Sequence, residues 1–512
     1  MLVPEEWLWM VIVGFIIAFV LAFGIGANDV ANSFGTSVGA KVLSLRQACI
    51  LATIFEVAGA ILIGSRVSDT IRKGIIDVSA YNGSEALLMV GNVAALSGSC
   101  VMLIGATIAS LPISATHSIV GATIGFSVVA HGARGIGWMK LGLIIGSWFI
   151  SPVMSGIVSS VLFFLVRKFV LNKEKPLEPG LRLLPVFYGV TVVINAFSVF
   201  YEGSEMLHFD RIPLYGVFIL SFGLGLVVAL LVYFVIVPWQ RKRIQAYTAV
   251  VRLTESEEGE KTEPKVDIYV PPTPESATGD SNHNTKDEAA NNQEDEQTHK
   301  LLNGGPEAGK GDADVSISTG ETEGELETDN EARLALARKN VEDKPETAKL
   351  FSFLQILTAV FGSFAHGGND VSNAIGPVVA LWMISIDGTV SQKAATPVWI
   401  LLYGGVGISI GLCVLGRRVM KTMGEDLSKV TPSSGFCIEI GSALTVLIAS
   451  NIGIPISTTH CKVGSIVFVG RVRSNENVDW KLFRNIIIAW LVTLPISGLL
   501  SAAAFAGLRE LI

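Results

Sequence analysis

The chain has 512 residues, 50% of them hydrophobic and 16% charged, with a mean hydropathy of +0.53. Soluble domains carry about 25% charged residues, so the composition excludes an ordinary soluble domain and indicates an all-α polytopic membrane protein. The net charge of −7 is a local matter: residues 241–348 hold 13 basic and 25 acidic side chains, a net −12, and the rest of the chain is +5.

The predicted elements run as follows. Residues 7–23 form a first span; Glu5 and Glu6 stand where a signal peptide would carry basic residues, so the segment is read as part of the membrane domain. A glycine-rich stretch, GIGANDVANSFGTS over residues 24–37, then places Asn28, Asp29 and Asn32 beside an expected helix break. Lys41 and Arg46 mark a short basic loop, and residues 48–63 a second span with one acid, Glu56. The polar stretch 66–85 reads as a loop and holds the chain's single Asn-x-Ser/Thr sequon, at Asn82. Two apolar arms, 90–110 and 113–129, meet at LPISATHS around Pro112, as two spans or one re-entrant hairpin. A span at 141–166, a basic loop at 167–182, a span near 184–200 and an acidic loop with Glu202, Glu205 and Asp210 lead to a span ending at Val237.

Residues 240–349 differ in kind. They open with Arg241, Lys242 and Arg243 and are then rich in Glu, Asp, Asn, Thr, Gly and Pro. Such a segment buries too little apolar surface to offset its chain entropy, so disorder is expected, with one short helix at 331–339. The second half repeats the landmarks of the first: AHGGNDVSNAIGP with Asn369, Asp370 and Asn373, a span at 398–415, a basic cluster at Arg417, Arg418 and Lys421, arms at 436–450 and 456–469 around IPISTTHC, and a last span at 486–505. About 12 membrane segments result. The five cysteines, Cys49, Cys100, Cys413, Cys437 and Cys461, make no CxxC, which predicts free thiols and no zinc or redox site.

Asn28 and Asn369 lie 341 residues apart, His117 and His460 343. Two motifs in register indicate a duplication, with a repeat plus flanking spans over 1–239, an acidic loop over 240–349 and a second repeat over 350–512. Lysine and arginine mark cytoplasmic loops. The triplet at Arg241 therefore places the large loop inside; both termini and the sequon fall outside. The basic cluster at Arg417 occupies the place in the second half that the external sequon loop occupies in the first. The copies thus have inverted topology, an arrangement whose binding sites lie near the bilayer midplane.

Ionisable groups at membrane depth indicate function. Each Asn-Asp motif offers carboxylate and amide oxygens, which suit a hard monovalent cation; a single copy would equally suit a helix cap, and two favour the ion. Each PIS turn puts a proline and hydroxyls at a helix start, an anion site made of free N–H groups and Ser114, Thr116, Ser457, Thr458 and Thr459. His117 and His460 suit hydrogen bonding. His366 stands beside the second motif where the first has Ile25, a break in symmetry. Glu56 and Glu439, lone acids in apolar runs, are assigned to the transport pathway. No nucleophile–base pair appears, so an enzyme is not expected.

The paired GANDVAN/GGNDVSN and PISxTH motifs, the long central loop and the external sequon resemble the PiT family of sodium–phosphate cotransporters, the animal members most closely. The resemblance covers both membrane halves. It implies uptake of inorganic phosphate across the plasma membrane, coupled to sodium, with re-entrant hairpins and a homodimer in lipid. It further implies that the glutamates matching Glu56 and Glu439 matter, and that some members serve as retroviral receptors. No cofactor beyond the coupling ion and no nucleic acid is expected. On this reading phosphate sits between the two PIS turns and sodium on Asn28, Asp29, Asn32, Asn369, Asp370 and Asn373. A proton-coupled carrier using Glu56, Glu439 or His366, and a non-transporting surface receptor or phosphate sensor, are the alternatives. Ala115 stands where the second turn has Thr458, one hydroxyl fewer.

Overall fold

A computed structural model describes residues 4–201, 208–262, 341–392, 394–421, 426–474 and 477–512. Among them secondary structure is helical, apart from isolated bridges between Ile76 and Ile136 and between Ser428 and Val478. In the first half α1 (Glu5–Ile25), α2 (Ala31–Gly39), α3 (Leu45–Lys73), α4 (Glu85–Ile108) and α5 (Ala115–His131) are followed by α6 (Trp138–Val166), α7 (Leu177–Phe200), α8 (Leu214–Leu231) and α9 (Val237–Thr262). The second half supplies α10 (Pro345–Asp387), α11 (Val398–Leu415), the short α12 (Arg417–Lys421), α13 (Pro432–Ile452), α14 (Thr458–Arg473) and α15 (Trp480–Leu508). Among the described residues ten helical segments are long and apolar enough to cross a membrane. α5 and α14, with 17 and 16 residues, are shorter. At 1.5 Å per residue each is about 25 Å long, less than the ~30 Å hydrocarbon core.

The halves interlock. α5 packs on α15, the last helix of the second half, and α14 packs on α6, its counterpart in the first. Both contacts depend on a glycine: a Cβ on Gly121 would collide with the Leu494 carbonyl, and one on Gly464 with the Pro152 carbonyl. α10 likewise packs closely on α3, where Gly59 faces the Phe364 carbonyl and Gly367 the Glu56 carbonyl. Without water to drive burial, helices in lipid associate through such close backbone approach. One buried apolar cluster joins α1, α3, α4 and α5 to α10 and α11; a second joins α6 and α7 to α13, α14 and α15. Side chains such as Phe149, Leu226 and Leu499 remain exposed, as a lipid-facing surface requires.

Several boundaries depart from the sequence reading. Residues 66–73, expected in a loop, extend α3, because their polar groups find partners on the helix itself and in the second half. Arg72 donates to Asp69 of the same helix at 2.6 Å and to the Ala394 carbonyl of the second half at 3.0 Å, and Thr70 to the Gly453 carbonyl at 2.6 Å. The basic loop expected at 167–182 shrinks to a few residues, as α6 continues into a wide turn at Arg167–Leu171 and α7 starts at Leu177. The boundary placed at residue 240 falls inside α9, where Arg241 pairs with Glu178 at 2.8 Å. The expected disorder over 263–340, with its short helix at 331–339, lies outside the described residues.

Candidate ion and anion site

The two Asn-Asp motifs differ locally. In the first the helix widens into a π-turn over Gly26–Val30 before α2 resumes. A Cβ on Gly26 would strike the Ile408 carbonyl, so glycine is needed for α11 to approach. In the second, α10 runs unbroken through Asn369 and Asp370, which corrects the expected break there. Its Gly367–Gly368 pair serves close packing on α3 instead of chain reversal.

Asn28 is fully engaged. Its amide donates to Thr107 Oγ1 at 3.1 Å and the Leu111 carbonyl at 2.9 Å, and its oxygen accepts from the Ile113 N–H at 3.1 Å. It thereby staples the extended linker between α4 and α5 to the first motif. The neighbouring carboxylate, Asp29, accepts from the Ala115 N–H at 3.2 Å, at the open N-terminus of α5, and from Thr459 Oγ1 at 2.9 Å. Asp370 accepts from Thr458 Oγ1 at 2.6 Å, Asn373 Nδ2 at 2.8 Å and Thr116 Oγ1 at 3.4 Å, and lies 3.0 Å from His366 Nε2. Asn369 donates to the Ile456 carbonyl at 3.3 Å. The Asn32 side chain lies outside the described residues.

The two turns meet. Thr116 of the first donates to the Ile456 carbonyl of the second at 3.0 Å, and Thr459 of the second donates to the Ile113 carbonyl of the first at 3.3 Å. The carboxylates follow the same exchange, Thr459 reading Asp29 and Thr116 reading Asp370. Ser114 and Ser457 cap α5 and α14, their Oγ atoms accepting from the His117 and His460 N–H groups at 3.2 and 3.1 Å. Their hydroxyl protons remain available as donors. His117 and His460 bond, also crosswise, to the carbonyls of Trp490 and Trp148 at 3.5 and 3.2 Å, and their rings lie 4.4 Å apart. They fix where the short helices start.

Oxygen ligands for a cation converge here. Ligand atoms of Asp29, His366 and Asp370 all lie within 4.8 Å of one another, and the three residues are buried. Asn369 Oδ1 and Asn373 Oδ1 are buried without a hydrogen-bond partner. A dehydrated hard cation among carboxylate and amide oxygens would satisfy both deficits. Glu56 belongs to the same network: it accepts from Ser363 at 2.8 Å and contacts His366 Nδ1 at 2.8 Å, so His366 bridges Glu56 and Asp370. Glu439 stands apart in a second network, accepting from Thr36 at 2.6 Å, Ser37 at 2.7 Å, Gln355 at 3.3 Å and Thr358 at 2.5 Å. Sequence reading missed these donors, and also Lys462, a buried lysine on α14. A cation in an apolar arm five residues after Ser457 was a visible signal. Asn82 is exposed beside Gly83 in a turn at φ 79°, a conformation suited to glycine and accessible to modification.

The chain is similar along nearly its whole length to known proteins. Residues 25–501 match the model of the phosphate transporter family. The chain is 46% identical to sodium-dependent phosphate transporter 1-A of Danio rerio, covering 98% of this chain and 94% of that protein. It is 43% identical to sodium-dependent phosphate transporter 1 of Homo sapiens, with 99% and 97% covered. A solved structure described as the sodium-dependent phosphate transporter superposes with a TM-score of 0.72 at 31% identity, covering 98% of this chain and all of that one. Nothing in these matches supports a proton-driven carrier or a non-transporting receptor.

Proposed function

Because this chain belongs to the phosphate transporter family, we propose that it carries inorganic phosphate into the cell together with sodium, around one site formed where its two PIS turns meet. The observation that carries the reading is the crosswise contact of the turns, each opening a short helix whose N-terminus favours negative charge. Sodium is held by Asp29 and Asp370 with the amide oxygens of Asn369 and Asn373, and Asn32 completes the motif of the first half. Asn28 acts by fixing the linker. Phosphate takes the helix N-termini with Ser114, Thr116, Ser457, Thr458 and Thr459.

The hydrogen bonds suggest how the two are coupled. Thr458 donates to Asp370, and Thr116 and Thr459 share their protons between Asp370 and Asp29 and the carbonyls of Ile456 and Ile113. A hydroxyl has one proton to donate. Sodium on the carboxylates competes for the accepting lone pairs, freeing those protons for the oxygens of the anion. The cation also lowers the cost of bringing a multiply charged anion to low dielectric. Asp29 takes Thr459 and Asp370 takes Thr116 from the turn of the opposite half, while Asp370 also takes Thr458 from its own; an ion on either carboxylate thus reaches across the halves, which suits alternating access by their relative motion. Glu56, with His366 beside Asp370, and Glu439, in its separate network, are assigned to the ion route.

We place the protein in the plasma membrane as a homodimer, with inverted repeats on either side of the segment joining α9 to α10, both termini and a glycosylated Asn82 outside, and that segment in the cytoplasm. It catalyses no covalent step and needs no cofactor besides the coupling ion.

Proteoliposomes holding the purified protein test this. A sodium gradient should drive labelled phosphate uptake where potassium or proton gradients alone do not. Asp29→Asn and Asp370→Asn should each raise the sodium concentration for half-maximal uptake about tenfold or more, the loss of one charged contact being worth roughly 1.5–3 kcal/mol. Unchanged sodium dependence in both variants would remove the ion assignment.

A further inference from the structure

A buried lysine has no task in the site as described. Lys462 is 4% exposed, and its Nζ has no hydrogen-bond partner. An ammonium taken out of water without an acceptor is strongly disfavoured unless something answers its charge. Glu439 is the acid that interacts with it electrostatically, but the Glu439 oxygens are occupied by Thr36, Ser37, Gln355 and Thr358, and no hydrogen bond joins the two. Three N–H donors therefore stand unanswered inside the membrane domain.

Its position indicates what they serve. α14 starts at Thr458, and Lys462 follows one turn later on the same face. Thr458 is the residue that donates to Asp370. Helical side chains lean toward the N-terminus of their helix, and one turn rises only about 5.4 Å, within the reach of a four-carbon stem. The ammonium is thus within range of the mouth of α14. In the first half Ile119 stands at the corresponding place, two residues after His117 as Lys462 is two after His460. Ala115 against Thr458 is a second difference and Ser118 against Cys461 a third. The lysine and Thr458 each put an additional donor on the second turn.

We propose that Lys462 is a specificity-determining contact for inorganic phosphate, drawing the anion off the midpoint between the turns and toward α14. This rests on the phosphate reading above and assigns within it a charged ligand that the pseudo-symmetric motifs do not supply. A fixed cation with no counterpart in the first half makes anion affinity depend chiefly on the second turn, while the sodium ligands stay shared between halves.

The test uses the full-length protein in proteoliposomes with inorganic phosphate as probe. Lys462→Met should raise the phosphate KM tenfold or more and leave the half-maximal sodium concentration within about twofold, the reverse of what Asp370→Asn does. Lys462→Arg should recover part of the phosphate affinity. The double variant Glu439→Gln/Lys462→Met, compared with Glu439→Gln alone, separates the rival explanation: a lysine that merely balances Glu439 would leave the two with the same phosphate KM, and that result overturns the proposal. So does an unchanged KM in Lys462→Met. If Lys462→Met does not yield folded protein, Lys462→Arg alone decides: a severalfold change in phosphate KM at constant sodium dependence supports the contact, and no change overturns it. Failure of the unsubstituted protein to take up phosphate with sodium would overturn the parent reading and this one together.

Discussion

At the scale of single residues, the site is a set of hydroxyl protons shared between two carboxylates and two backbone carbonyls. Thr458→Ala, which makes the second turn like the first at that position, removes the 2.6 Å bond to Asp370. A hydrogen bond to a charged group contributes about 1.5–3 kcal/mol; its loss should lower sodium-driven uptake at limiting phosphate about tenfold, measured as uptake against both concentrations. Thr459→Val should act differently, because Thr459 joins the second turn to Asp29 of the first half. In that variant phosphate should no longer lower the sodium concentration needed for half-maximal uptake, and equilibrium binding of each ion with the other varied would measure it. Preserved mutual enhancement would show that the hydroxyl is not the coupler. The carboxylates and amides of both motifs were legible because charged groups in apolar runs have few structural uses. Their partners were not. Thr459 and Asp29 are 430 residues apart, Thr36 and Glu439 403, and no local pattern encodes such a meeting. Glu56 and Glu439 looked alike in the sequence, yet one lies against His366, beside Asp370, and the other in a nest of neutral donors.

Among elements, glycine decides which helices touch. Gly59→Val would force a side chain against the Phe364 carbonyl at the α3–α10 contact. Overpacking costs about 1–3 kcal/mol even where neighbours can shift, and backbone shifts less readily than a side chain. The variant should unfold in detergent at a lower temperature than the parent, read by fluorescence, and transport less. Gly105→Ala is the control: a Cβ there meets nothing within 4 Å, and stability should be unchanged. Helix existence followed from apolar length, but helix ends did not. α3 runs on to Lys73 because Arg72 and Thr70 are answered by groups in the second half. α10 passes straight through a motif that breaks the helix in the first copy, although both carry Gly, Asn and Asp. The difference lies in what each glycine faces, the Ile408 backbone at the π-turn and α3 at Gly367 and Gly368, and a neighbour's position is not written in the local sequence.

For the molecule as a whole, the two halves of the chain do not pack as separate bodies. Each short helix is held by a span of the opposite half, α5 by α15 and α14 by α6, and each histidine behind a turn bonds to a tryptophan carbonyl of the opposite half. Neither half completes its own site, since Asp29 and Asp370 each take a threonine from the other's turn. A chain ending at residue 262 should therefore leave α5 without its packing partner and expose the Gly121 face to lipid, and a chain starting at 341 should do the same to α14 and Gly464. Expressed alone, each should be degraded or aggregate. Expressed together as two polypeptides, they should co-purify and restore sodium-driven phosphate uptake, because the contacts that join them, among the described residues, lie within 4–251 and 341–512. Independent folding of either half, shown by a monodisperse species with native helix content, would contradict the interlock. Co-purification without uptake would instead assign residues 263–340 a part in transport beyond tethering.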